Sequence, residues 1–358
     1  MKILITLFSM MMLVMSSQAW AINNTFTPNI SESNVIYYLN NPKFATGSRY
    51  NLVDSGGNPM HHPSIIQMSG QDYKYAAVYH TPYTVSGGIR YKVNLAASND
   101  LVNWTYIDLL IDNADMPRIS LVTGSNWVVV TYEQWQGAGV TSTQPARVAF
   151  KLFYDFNDLM NRTVRSTYTM SAYNGNLNGT PSIYEFHLAQ YNGFYSVDGQ
   201  YGFHYWDGTR DVNAVTTILK MFDPNGVAAA YPSTATAYNN LIMTNGVTGN
   251  IGDRDTLITS TARFNIQEGN IGQPGESFDK WRLFLYKFVE SYNYPDGSGT
   301  LTALAPQTPN SSVSFGNPTV NVVDRPDGTG KAIVISYFIF GEGAGSGEAG
   351  SLLYYFNI

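Results

Sequence analysis

The stretch Gly57-Asn58-Pro59-Met60-His61-His62-Pro63-Ser64-Ile65-Ile66 constrains this chain most, because its tail recurs in altered form. Met116-Pro117-Arg118-Ile119, Gly179-Thr180-Pro181-Ser182-Ile183 and Asn317-Pro318-Thr319-Val320 each follow a loop and open an apolar, strand-like run. The prolines Pro63, Pro117, Pro181 and Pro318 stand 54, 64 and 137 residues apart. The last interval fits two units, with a proline-free opening near Asp255-Thr256-Leu257-Ile258 between them. Five units of this size are the signature of a radially repeated all-β fold.

Each unit repeats one grammar, in which β-branched and aromatic residues fill strands and Asn or Asp makes turns. The first predicts strands over Ser64–Met68, Lys74–His80, Tyr91–Ser98 and Thr105–Leu109, with the turn Asn99-Asp100-Leu101-Val102-Asn103-Trp104 before the last. The second predicts Ile119–Val122, Asn126–Tyr132, Ala146–Tyr154 and Thr163–Tyr168, with a turn over Asp155–Asp158. The third gives Ser182–His187, Gly202–Tyr205 and Val215–Met221. The fourth gives Thr256–Phe264 and Trp281–Phe288, and the fifth Thr319–Val323, Lys331–Ile339 and Ser351–Phe356. The fold class is therefore a five-bladed β-propeller, with a β-sandwich carrying long loops as the competing arrangement. The fifth unit lacks a strand, and Val35–Leu39 near the N-terminus is the run expected to pair beside the C-terminal sheet and close the ring. Long Gly-rich loops are expected over Gln134–Thr143, Tyr231–Asp255, Gln267–Asp279 and Gly341–Gly350.

At the N-terminus, Lys2, the apolar run Ile3 to Val14 and Ala19-Trp20-Ala21 form an export signal, with cleavage expected after Ala21. Residues 22–358 then make one propeller domain, secreted or periplasmic, and no later segment is long enough for a membrane helix. There is no cysteine, which excludes disulfides, thiolate nucleophiles and Cys-ligated metals. Charged residues are 13% of the chain and the formal net charge is −6, a poor surface for nucleic acid. The 26 tyrosines and the many uncharged polar residues suit a glycan or oligosaccharide instead. A monomer is expected.

The Pro-Ser-Ile opening, together with Ala97-Ser98-Asn99-Asp100-Leu101-Val102-Asn103-Trp104, resembles the five-bladed propeller glycoside hydrolases of the arabinanase and β-xylosidase type. The likeness is sharp over residues 61–104 and diffuse over 35–358. It implies acidic residues near the axis, acting as general base, general acid and pKa-modulating partner. This chain departs from that pattern. The first-blade acid slot holds His62, and the position before Ile119 holds Arg118. Two carboxyl groups are what glycoside hydrolysis normally needs, one to protonate the leaving oxygen and one to activate water or attack carbon. Glu185, on the predicted third inner strand, is the expected acid and Asp255 the expected acidic partner. His62 is the alternative for handling water, and Arg118 would hold anionic or hydroxyl groups. Asp115 and Glu133 are further carboxyls near the axis. Salt bridges to Arg118 or Arg254 that hold blades together are the competing reading for these acids.

His61, His187, Tyr184 and Arg254 share the predicted channel as substrate-binding candidates. Trp135 and Trp206 lie at strand ends, where a flat ring can stack on a sugar. Trp104, Trp127 and Trp281 fit packing positions. The histidines together with Glu185 could hold a divalent metal, and an axial calcium or sodium ion fits equally, but the motif His-Glu-x-x-His is absent, so no particular metal is identified and the hydrolytic reading requires none. Two other functions fit the same composition: glycan binding without turnover, and a polysaccharide lyase that uses Arg118 or Arg254, His62 or His187, and Tyr79 or Tyr184.

Overall fold

The computed structural model describes residues 28–86, 88–135, 146–173, 178–273, 277–288 and 299–358. The expected export signal and most of the expected loop over Gln134–Thr143 lie outside them. The first strand, β1 (Gly47–Arg49), belongs to the last sheet. Blade 1 is β2 (His61–Gln67), β3 (Tyr75–Val85), β4 (Gly88–Ser98) and β5 (Thr105–Ile111). Blade 2 is β6 (Ala114–Leu121), β7 (Val128–Trp135), β8 (Ala146–Phe153) and β9 (Ser166–Thr169). Blade 3 is β10 (Asn178–Tyr191), β11 (Phe194–Trp206), β12 (Asp211–Met221) and β13 (Ala229–Thr234). Blade 4 is β14 (Ile251–Ile258), β15 (Arg263–Asn270), β16 (Trp281–Phe288) and β17 (Gly299–Ala303). Blade 5 is β18 (Phe315–Asp324), β19 (Lys331–Ile339) and β20 (Gly350–Asn357), completed by β1 on the outside.

Every pairing between these strands is antiparallel. The inner strands touch in a cycle, β2 to β6 to β10 to β14 to β18 and back to β2, which makes a five-bladed propeller rather than a sandwich. Apolar residues from facing blades fill the spaces between sheets. One such core joins Leu257 and Phe264 of blade 4 to Ile333 and Ile335 of blade 5.

The ring closes between the N-terminal region and the C-terminal sheet, but through β1, whose Gly47 pairs with Tyr355. Val35–Leu39 is instead part of a helix, α1 (Glu32–Asn40). Ser31 caps it, accepting from Asn34 N–H at 3.3 Å, and Glu32 sits favourably in the first turn. Val35 and Leu39, four residues apart and therefore on one helix face, are buried in the core between blades 4 and 5. A strand would have put Tyr37 on that same face, yet Tyr37 is largely exposed. The cap decided between two apolar periods.

Other expectations also shift. Thr256–Phe264 is not one strand but the end of β14, a turn and the start of β15. The region read as loop from Tyr231 holds the end of β13 and α3 (Thr236–Thr244), while Asp155–Asp158 starts a short helix, α2 (Phe156–Met160), capped by Asp155. The loop expected from Gln267 begins inside β15, which runs to Asn270.

The recurrent openings have a structural cause. His62, Met116, Thr180 and Asn317, each followed by proline, adopt positive φ of 57°, 45°, 48° and 46°. Each sits in a register shift of its inner strand, between His61 and Ser64, Asp115 and Arg118, Gly179 and Ser182, and Gly316 and Thr319. A bulge tolerates proline because the residue there makes no ladder bond, and it re-aims the side chains beside it. Blade 4 has the same shift between Ile251 and Arg254, with Gly252-Asp253 where the other blades carry X-Pro. One opening therefore places a carboxylate where the rest place a pyrrolidine.

Candidate active site where the inner strands begin

The bulges cluster at one end of the ring, here the entry end; the turns from inner to second strand lie at the far end. At the entry end the side chains beside the bulges converge into a buried polar hub. His62 Nε2 of blade 1 lies 2.8 Å from Asp253 Oδ2 of blade 4. Arg118 of blade 2 donates to Asp253 Oδ1 at 3.1 Å, and its Nε lies 3.2 Å from Asp255. It also donates to Pro318 O of blade 5 at 3.3 Å. Asp255 accepts from the N–H of Thr256 and of Val320, both at 2.9 Å. Arg254 bonds Asn213 Oδ1 and the carbonyl of Ala214 in blade 3. All five blades are thus tied at the axis.

Charge in the hub is set by burial against neighbours. Burial works to raise the Asp253 carboxyl, but Arg118 and His62 outweigh it and hold it below the ordinary carboxylate range. Burial, then the Arg118 charge, pushes the His62 imidazole down to about 4. His62 is therefore neutral, fully enclosed and faces Asp253 and Met116 Sδ, with no route to a water. Arg118 and Arg254 are 1% and 0% exposed. Of the residues expected to share a site, His62, Arg118, Arg254 and Asp255 do come together, as groups that hold blades to one another.

Glu185 does not join them. It stands on the far-end half of β10, largely exposed, 3.8 Å from Arg263 just after the β14–β15 turn. β10 carries a second register shift, between Ile183 and Glu185, after its opening bulge, and that shift breaks the alternation that would have turned Glu185 toward the axis. His187 lies two residues further on and is also exposed, bridged through its backbone to Thr123 at the β6–β7 turn. Tyr184 is buried among Val215, Tyr238 and Phe284, its hydroxyl close to Arg254 across Gly202. Trp135, Trp206 and His61 are at the entry end; Trp206 is the most exposed of the three.

Beside the hub stands a second acidic group with a different character. Asp115 and Glu133 are direct cross-strand partners in the β6–β7 ladder, at the edge of its register shift. Asp115 reaches toward blade 1, where His80 Nδ1 is 2.7 Å from its Oδ1. Glu133 reaches toward blade 3 and accepts from Thr180 N–H at 3.0 Å. Among the described residues Glu133 has no cationic partner. Burial first, then the Asp115 charge, raises its carboxyl to about 8, so it holds a proton at neutral pH. Gly179 leaves the space it needs: a Cβ there would come within 2.6 Å of Glu133 Oε2. Behind Thr180 stands His204, which bonds Thr180 Oγ1 and is pushed to about 3 by burial. Glu268 is also raised to about 8, by burial and then by Asp253, but both of its oxygens accept backbone N–H groups, from Asp253 at 2.7 Å and Asn317 at 2.6 Å.

A cavity of about 250 Å³ lies on the axis below the hub, lined by Ser64, Asp255, Thr256 and Asn321 among others. Its one carboxylate is engaged by Arg118 and two N–H groups, so it offers an ion hydroxyls rather than free carboxylates. Among the described residues no three His, Asp or Glu side chains are grouped as a metal centre.

The fold resembles that of the five-bladed propeller glycoside hydrolases. A structure described as a glycoside hydrolase superposes with a TM-score of 0.51 at 11% identity, covering 91% of this chain and 96% of that one. An α-L-arabinanase mutant from Cellvibrio cellulosa gives 0.49 at 13% identity, over 83% of this chain and 91% of that one. An exo-1,5-α-L-arabinanase from a bovine ruminal metagenomic library gives 0.48 at 10%, over 85% and 95%. No family model and no curated protein matches the sequence. At these identities the likeness is one of fold.

Sequence reasoning noticed Asp115 and Glu133 only as neighbours of the axis and passed over Asp253. The usable signal for the pair was register: Arg118 beside Pro117 fixes the bulge, which in turn sets Asp115 opposite Glu133. For Asp253 it was the Gly252-Asp253 step standing where X-Pro stands elsewhere.

Proposed function

We propose that this protein is a secreted or periplasmic carbohydrate-active enzyme, acting as a monomer, that hydrolyses glycosidic bonds in a poly- or oligosaccharide. Glu133 replaces Glu185 as proton donor, and Asp115, backed by His80, is the carboxylate. The observation that carries the reading is the cross-strand pairing of Asp115 with Glu133, one of the two carboxyls held protonated to about pH 8. Paired titratable groups whose environments push their proton affinities apart are how an enzyme assigns acid and base roles. Glu133 donates its proton to the leaving glycosidic oxygen as the bond to the anomeric carbon breaks. Asp115 either takes a proton from the attacking water or attacks the anomeric carbon, the choice depending on the separation of the two carboxyls. The hub supplies rigidity rather than proton transfer. Similarity of fold to glycoside hydrolases supports this reading, and no ion is needed for it.

The lyase grouping is disfavoured because its cations are already engaged, Arg118 by Asp253 and Asp255 and Arg254 by Asn213 and the Ala214 carbonyl. The test is Glu133→Gln and Asp115→Asn, assayed for release of reducing sugar on a panel of neutral oligosaccharides. Turnover falls by about 10²- to 10⁴-fold in Glu133→Gln while the melting temperature holds. The alkaline limb of its activity, set near pH 8 by Glu133, disappears from the residual rate. Full activity in Glu133→Gln overturns the assignment.

A further inference from the structure

We infer that the entry end carries an aromatic track that binds the chain of a neutral glycan and leads it to the Asp115–Glu133 pair; this rests on the reading of that pair as the reaction centre. Phe278 lies on a single 3₁₀ turn, Phe278–Lys280, immediately before β16, and is 50% exposed. Its ring stacks on Phe340, centroids 4.9 Å apart and planes at 21°. Phe338 is 5.3 Å from Phe340, and His61 is 4.8 Å from Phe338. His61 lies 5.6 Å from His80, whose Nδ1 is 2.7 Å from Asp115. The rings therefore run without a break from blade 4 across blade 5 to blade 1 and end at the carboxyl pair.

The fold does not require these phenylalanines. Phe278, Phe338 and Phe340 belong to none of the five hydrophobic cores. Yet the outermost is held in place: Ser314 Oγ donates to the Phe278 carbonyl, and the ring rests on Phe340. A ring ordered before binding loses little freedom when a ligand stacks on it. Flat aromatic faces suit the C–H faces of sugar rings, and a run of them suits several linked sugars rather than one.

The chemistry of the track favours an uncharged chain. None of its phenylalanines bears charge, and His61 is kept neutral by burial and by His80. The charges flanking Phe278 pair with each other, Lys280 Nζ lying 3.3 Å from Asp279. Arg282, on the same segment, donates to the carbonyls of Asp279 and Trp281.

Binding is read apart from catalysis by affinity electrophoresis of the full chain carrying Glu133→Gln, in gels containing arabinan, xylan or galactan, with polygalacturonate as charged control. At least one neutral polymer retards this parent. Phe278→Ala and Phe340→Ala each weaken that retardation by about fivefold to tenfold, whereas Phe278→Trp preserves it. Phe278→Ala leaves the melting temperature unchanged. In the background with Glu133 intact, the same two variants lower kcat/KM more on long oligosaccharides than on a monosaccharide aryl glycoside. Equal retardation of variants and parent, retardation by polygalacturonate only, or no retardation in any gel overturns the track. Full activity of Glu133→Gln would sink the hydrolytic reading instead, and the gels would still report on binding.

Discussion

Asp253 and Glu133 are both buried carboxyls at the entry end, and the protein treats them in opposite ways. Asp253 lies against Arg118 and the neutral His62, and the Arg118 charge first, then contact with His62, outweighs the cost of burial, so it stays ionised. Glu133 meets a backbone N–H and the neighbouring Asp115, so burial wins and the proton stays. Burial thus gives either a fixed charge or a stored proton, depending on whether a cation is in contact. The first suits holding blades together; the second suits acid chemistry.

The comparison breaks first at Asp253. Asp253→Ala leaves Arg118 buried without its main counter-charge, and unfolding in urea is expected to show a loss of about 3–5 kcal/mol. Asp253→Ala as stable as the parent would mean that the hub does not carry the ring. Gly179→Ala probes the other side. The added methyl meets Glu133 Oε2 at 2.6 Å on a backbone that any residue can adopt, so kcat is expected to drop by about 10- to 100-fold with little change in melting temperature. Equal kinetics in the two proteins would show that Glu133 has no fixed position to lose.

The pH dependence of stability sharpens the contrast. Glu133 and Glu268 keep protons in the fold to about pH 8 but release them near pH 4.3 when unfolded, so stability falls as pH rises through that window. Asp211, raised to about 6 by burial, adds to this at the acid side. His61, His62 and His204 act the other way. Held neutral to about pH 3–4, they leave only the unfolded chain to take protons below about pH 6.5, so stability falls as pH drops. Melting temperature is expected to be level from about pH 4.5 to 6.5 and to decline on either side. Glu268→Gln flattens the alkaline decline, and an unaltered slope would remove Glu268 from the account. The smallest effect belongs to Glu185. Its exposed pair with Arg263 is worth about 0–1 kcal/mol, and Glu185→Gln is expected to keep both stability and turnover. A large loss of activity there would return the acid role to Glu185.

Four blade openings were legible because X-Pro, with a β-branched residue two places after the proline, accompanies the bulge that each makes, and the opening of blade 4 was legible from the interval alone. Closure by the N-terminal region was legible too, from the strand missing in the fifth unit. Its location was not: Val35–Leu39 carries apolar residues that satisfy either period, and the Ser31 cap tipped them into a helix. The candidate site was legible only in its hub. His62, Arg118, Arg254 and Asp255 all flank openings, so they had to converge.

The roles within that end of the ring came from tertiary structure alone. A one-residue change of register sends a strand side chain to the opposite face, and the bulges impose such a change at every opening. Linear spacing therefore could not say that Asp115 pairs with Glu133, that Asp253 takes the place of a proline, or that a second register shift precedes Glu185. By itself the sequence determined the number of blades, their order and the residues at their starts, since local backbone geometry dictates those. Which carboxyls meet a cation and which keep a proton depends on atoms brought together from separate blades, and only the folded ring supplies them.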